Sequence, residues 1–251
     1  MRHVIALGKR ELISYFLSPV GYVIGFLFIG MYTLFFYLNF ASSTDANEVL
    51  SGGIGNVGII GIFAVPFLTM GLLADERRSG TIEMLMTAPV RDWEVVAGKY
   101  AGAAVYLLCL MAPSLLQVVA VRTYGIPEWG PVISAYVGLV LLMQMLLALG
   151  LFFSAISKDL LVSVMLSFVT FMILLVLGAF VPDTPPAIEA GNVFNNLLHY
   201  LFEFLRYASI GGHYESFFQG VINSRDVVYF LSVTVFCLFI STLAVESRKW
   251  K

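Results

Sequence analysis

The chain has 251 residues, of which 59% are hydrophobic and 12% charged, with a mean hydropathy of +0.90. Soluble domains carry about 25% charge, so this composition excludes an ordinary water-soluble globule and makes the bilayer the expected solvent. A formal net charge of −2, from 14 basic and 16 acidic residues, leaves no basic excess to grip a nucleic-acid backbone, and no nucleic-acid partner is expected.

Residues 1–19 are too charged to cross a membrane and predict an amphipathic interfacial helix. At about 100° per residue, Val4, Ile5, Leu12, Tyr15 and Phe16 gather on one side, with His3, Arg10, Glu11 and Ser14 opposite. Lys9, Arg10 and Glu11 are then expected at the headgroup level, the cations near anionic lipid. The segment reads either as a plain anchor or as a lever that moves with a working cycle.

Residues 20–251 are expected to form one six-span domain. A hydrocarbon core takes about 20 helical residues. The blocks 20–40, 54–74, 100–121, 132–156, 160–181 and 227–245 meet that length without any Asp, Glu, Lys, Arg or His. Backbone groups in lipid must bond within their own segment, which predicts an all-α, polytopic membrane protein. Gly21 with Gly25, and the series Gly52, Gly55, Gly58 and Gly61, predict close helix packing, and Pro66 and Pro113 predict kinks. Cys109 and Cys237 fall inside apolar blocks and read as small buried hydrophobes.

Basic residues orient the spans. Arg2, Lys9, Arg10, Arg77, Arg78, Arg91, Lys99, Lys158, Arg248, Lys249 and Lys251 fall on one side, and only Arg122, Arg206 and Arg225 on the other. Both termini are therefore expected in the cytoplasm.

The inside segment 75–99 reads as three pieces. Asp75 to Arg78, including Glu76, extend the second span until Gly80 can end the helix. Thr81 offers an N-cap for a short helix running to Thr87, with Glu83 in its first turn and Pro89 as its terminator. Asp92 is expected to cap the third piece, which leads through Lys99 into the next span. One reading is a solvated loop that sets topology. Against it, Ile82, Met84, Leu85 and Met86 form an apolar knuckle that a partner protein would cover.

The outside segment 182–226 predicts two short re-entrant or interfacial helices, at 193–210 and 214–221, neither clean enough to cross. His199 and Glu203, four residues apart, read as a structural pair rather than metal ligands, since no third ligand is evident.

Ionisable groups are missing from the apolar blocks, which disfavours an ion-coupled carrier or channel. No G-x-S-x-G occurs, no histidine lies in a block, and no G-x-x-x-x-G-K-[ST] loop is present. The chain is therefore expected to be non-catalytic, with no metal or cofactor of its own, and ATP use would come from another polypeptide.

The six spans with ERRSGTIEMLMTAPVRDWEVVAGKY after the second resemble the permease subunits of the second class of ABC exporters, the type V exporter fold. KRELISYFLSPVGYVIG and FFQGVINSRDVVYFLSVT further resemble the gliding-motility and nitrous-oxide-reductase-maturation permeases. Glu76, Gly80, Thr81, Glu83 and Pro89, with Gly220, Arg225 and Asp226, carry the likeness. It implies a bacterial inner-membrane subunit that pairs with a second permease chain, the same or homologous, and with two ABC ATPase subunits holding ATP and Mg. It also implies that the 81–87 helix couples to the ATPase, through Glu76, Arg78, Gly80, Thr81, Ile82, Glu83, Met84, Leu85, Met86 and Pro89. A charge-free interior suits an amphipathic cargo. The alternative is a mechanotransmitting or scaffold subunit that relays ATPase motion to a periplasmic or envelope partner without moving a substrate.

Overall fold

The computed structural model describes residues 2–43, 45–78, 91–180 and 193–247. Among them the chain is helical throughout, with no strand, and six helices are long and apolar enough to cross a membrane. The protein is an all-α, polytopic membrane protein.

Helix α1 (Arg2–Leu17) precedes the first span, α2 (Pro19–Ser42). The second span is α3 (Ala46–Thr69) continued by α4 (Gly71–Arg78), and the third is α5 (Asp92–Met111) continued by α6 (Ser114–Arg122). Then come α7 (Trp129–Ile156) and α8 (Leu160–Phe180), two short helices α9 (Val193–Ala208) and α10 (Ile210–Phe218), and the last span α11 (Ser224–Glu246). Span α7 is the axis of the bundle: Leu139, Met143, Leu146, Leu147 and Leu151 along it are fully buried.

Local chemistry fixes the ends. Asp45 caps α3 by accepting from the Asn47 N–H at 2.9 Å, and Asn223 caps α11 by accepting from the Arg225 N–H. With that cap the second span begins at Ala46, eight residues before the apolar block. The third begins at Asp92, and its cap is Arg91 rather than Asp92: the Arg91 N–H donates to Glu94 Oε2 at 3.2 Å. Pro66 stays inside α3 and the chain turns at Met70, whereas Pro113 separates α5 from α6. Cys237 is buried as expected, but Cys109 is exposed on the flank of the bundle, where an apolar side chain costs nothing against lipid.

The rotation of α1 differs from the helical-wheel expectation. Ile5 is 70% exposed and Phe16 is exposed as well, whereas Glu11, expected on the polar side, is turned against the third span. Glycine contacts between α1 and α5 set that rotation.

Candidate functional site

Segment 79–90 lies outside the described residues, and with it Gly80, Thr81, Ile82, Glu83, Met84, Leu85, Met86 and Pro89. The stem that carries it is described: α4 delivers the chain to exposed Arg78, and α5 receives it at Asp92.

The first N–H groups of a helix have no acceptor within it. At the start of α4, Ser154 of α7 supplies one: its hydroxyl accepts from the N–H groups of Leu73 (3.0 Å) and Ala74 (3.1 Å) and donates to the Met70 carbonyl (3.0 Å). The break at Met70 is thereby stitched to the axial span.

Helix α1 clamps α5 backbone to backbone. A Cβ added at Gly98 would lie 2.7 Å from Leu7 Cβ, and one at Gly102 would lie 2.6 Å from the Gly8 carbonyl oxygen and 2.7 Å from Glu11 Cβ. Only glycine allows such an approach, the same use of small residues that brings membrane helices together. The clamp sets Glu11 over Lys99. Tyr15, one turn on, stacks on Tyr106 at 4.9 Å and donates its hydroxyl proton to the Leu68 carbonyl at 2.7 Å, so α1 also touches the second span.

Lys99 is 5% exposed, and its Nζ lies 2.8 Å from Glu76 Oε1 and 3.4 Å from Glu11 Oε2. One ammonium thus joins three helices, α1, α4 and α5, at the root of the 79–90 segment. Burial raises the Glu11 carboxyl above its ordinary range, against the pull of Lys99, while the Glu76 charge adds to the rise. Lys9 and Arg10 are exposed on the free side of α1.

A second buried polar cluster lies at the opposite end of the bundle. His213 of α10 places Nδ1 2.6 Å from Asp226 Oδ1 of α11, and its Nε2 lies 2.9 Å from the Tyr207 carbonyl oxygen, an acceptor. The Nε2 proton therefore points at Tyr207. Asp226 also accepts from the Ser216 hydroxyl at 2.6 Å, Tyr229 stacks on the imidazole at 4.1 Å, and the Arg225 guanidinium covers the Tyr207 ring at 5.2 Å. Below this clasp α10 is wedged into the bundle: Phe217 sits against Gly138, where a Cβ would come within 2.6 Å, and Ser134 donates to the Phe217 carbonyl at 2.5 Å.

The predicted pair His199 and Glu203 makes a loose contact of 3.6 Å on α9, with Glu203 largely exposed, and no three potential metal ligands converge among the described residues. Sequence reasoning missed two residues. Lys99 entered it only as a topology marker, although a lysine directly before an uninterrupted apolar run and inside Gly98-x-x-x-Gly102 signals a buried cation at a helix crossing. His213 carried no spacing signal at all, because its partner lies across a turn on the next helix.

Comparison with known protein families gives a match over residues 6–246 to the family described as ABC-2 family transporter protein. Comparison with curated proteins gives no match.

Proposed function

Because the chain belongs to the ABC-2 transporter family, whose members are membrane-spanning subunits of ABC transporters, we propose that it is the permease of an ATP-driven exporter of the type V fold, akin to the gliding-motility and nitrous-oxide-reductase-maturation permeases. It sits in a bacterial inner membrane with both termini in the cytoplasm, pairs with a second permease chain and takes its energy from two ABC ATPase subunits that hold ATP and Mg.

The observation that carries this reading is the node around Lys99. The two helices that flank segment 79–90 are tied by the 2.8 Å Glu76–Lys99 ion pair, and α1 is tied to the same ammonium. A push on the segment from an ATPase reaches α4 and α5 together. From α4 it passes through Ser154 to the axial span, and from α5 through the glycine clamp to α1. The arrangement favours α1 as a moving lever over a passive anchor.

An amphipathic cargo is supported by what the walls offer. A cleft of about 710 Å³ between α2 and α3 is lined only by apolar side chains, among them Val23, Leu27, Met31, Ile59, Phe63 and Phe67. That volume is within the usual range of ligand pockets, and its lining suits the hydrocarbon part of an amphipathic cargo.

The test is copurification of the ATPase from bacterial membranes with the wild-type chain and with Leu85→Ala, Met84→Ala and Gly80→Pro. Truncating a buried apolar anchor costs on the order of 2 kcal/mol, about thirtyfold in affinity. Loss of the ATPase from these variants, with membrane insertion intact, is expected. Retention by all three removes the coupling assignment.

A further inference from the structure

Two glycines in the first turn of α10 have no local structural need to be glycine. Ser209 ends α9 and opens α10, so Ile210, Gly211 and Gly212 are the first three helical residues. Neither glycine has a positive φ; among the described residues only Gly220 does. Neither serves packing among the described residues: a Cβ at Gly212 would meet nothing within 4 Å, and one at Gly211 only the Ser209 hydroxyl, 3.8 Å away. Glycine weakens a helix relative to alanine. Where neither φ nor packing demands it, what glycine offers is close approach to the backbone.

The backbone at this turn offers donors. The first N–H groups of a helix have no acceptor within it, and they stand at the positive end of its dipole. The carbonyls just before them are engaged: that of Tyr207 by His213 Nε2 at 2.9 Å, and that of Ala208 by the Tyr229 hydroxyl at 2.8 Å.

Ser209 adds a third donor. Its side chain makes no capping bond, and its hydroxyl, on a residue 1% exposed, has no hydrogen-bond partner among the described residues. Its closeness to the Cβ position of Gly211 aims it at the first turn. A buried hydroxyl left unpaired is costly. An acceptor at the start of α10 would satisfy it together with the N–H groups of Gly211 and Gly212.

The charges nearby select an anion. The Arg225 guanidinium lies 5.2 Å over the Tyr207 ring, and Arg206 is in the last turn of α9. Both are exposed, and neither makes an ion pair among the described residues. A guanidinium stacked on a ring keeps its in-plane N–H groups for an oxyanion. The buried carboxylate of this region, Asp226, is already engaged by His213 and Ser216.

The depth of the turn suits a lipid phosphate. Tyr229, which holds Ala208, lies two residues, about 3 Å, inside the apolar block that begins at Val227. Side chains of a helix lean toward its N-terminus, so Tyr229 reaches from there toward the end of the bundle and holds the turn at headgroup level.

We propose that the start of α10 is a binding site for a phosphate group, supplied by a lipid headgroup or by free phosphate. The N–H groups of Gly211 and Gly212 donate to its oxygens, the Ser209 side chain rotates to do the same, and Arg206 and Arg225 balance its charge. A helix N-terminus approached past glycines is a general solution for holding phosphate. The site does not depend on the transport reading and stands or falls by its own test.

The test is amide NMR of the full chain, isotope-labelled at glycine, in phosphate-free maltoside detergent at constant ionic strength. The probes are sodium phosphate, dihexanoyl phosphatidylglycerol and, as a blank, dihexanoylglycerol. Saturable shifts of Gly211 and Gly212 with a phosphate probe, and none with the blank, are expected. Saturation at a lower concentration of the lipid assigns the site to a headgroup, and saturation by phosphate at an equal or lower concentration assigns it to free phosphate. No saturable shift with either probe, or the same shift with the blank, overturns the site. Gly212→Asp places a carboxylate in open space at the first turn, a position where a helix favours one, and is expected to weaken binding at least about tenfold. Unchanged affinity overturns the site. Ser209→Ala separates binding from capping. Its Tm is expected to match or exceed that of the wild type without phosphate and to fall below it at saturating phosphate. An equal loss under both conditions makes Ser209 an ordinary helix cap and overturns the assignment.

Discussion

The two buried polar clusters differ in what they join. The clasp of His213, Asp226 and Ser216 connects residues within 13 positions of each other, and each named polar atom has its counterpart. The Lys99 node connects residues up to 88 positions apart and sets one ammonium between two carboxylates. A local, balanced cluster holds a turn in one shape. A long-range one makes three helices answer to a single contact, and it stands at the root of the segment where an ATPase would press.

The largest effect that separates the two is expected from Lys99→Met. It removes the ammonium that Glu11 and Glu76 both contact, and breaking a buried pair from one side costs about 3–5 kcal/mol. Thermal unfolding in detergent measures the loss, and ATPase coupling is expected to fall with it.

Asp226→Ala comes next. It strips the acceptor from His213 and Ser216 and is expected to cost about 2–3 kcal/mol. Its signature is local. Hydrogen exchange is expected to rise across 207–218 while ATPase binding stays intact. Loss of ATPase binding would mean that the clasp, too, is long-range.

Glu11→Gln is the smallest change and sharpens the account of the Lys99 node. A carboxyl held above its ordinary range binds its proton more tightly in the folded state. Its contribution to stability is therefore present below about pH 4.5 and declines as pH rises through the folded value. The glutamine variant is expected to lose that part of the pH slope and to be at least as stable as the wild type near neutrality, because a neutral amide escapes the burial penalty on the carboxylate while its oxygen still accepts from Lys99. A slope equal to wild type would place the titration elsewhere.

The spans were legible because twenty-residue apolar runs have no other use in lipid, and caps such as Asp45 refine their ends. Which face turns inward was not. In water an apolar stripe marks the core, but here the outer surface is apolar too: Phe26 and Leu38 on the first span are exposed just as Ile5 is on α1. The wheel of α1 therefore grouped Ile5 and Phe16 with the packed side and Glu11 with the free one. The inward signals are small and polar residues: Gly8, Gly98 and Gly102 at the clamp, Ser154 at the stitch, Lys99 at the node. The outer helices were legible as segments, but α10 begins at Ile210, four residues earlier than expected, because Ser209 ends one helix and opens the next.

The account rests on α4 and α5 moving as one stem. Spin labels at Arg78 and Trp93, both exposed and flanking the segment, report the distance between the two helices in the ATPase-bound complex with and without ATP. One narrow distance, unchanged by nucleotide, is predicted. A second population, or a shift when ATP is added, would show the two helices moving apart and contradict the node as the path of coupling.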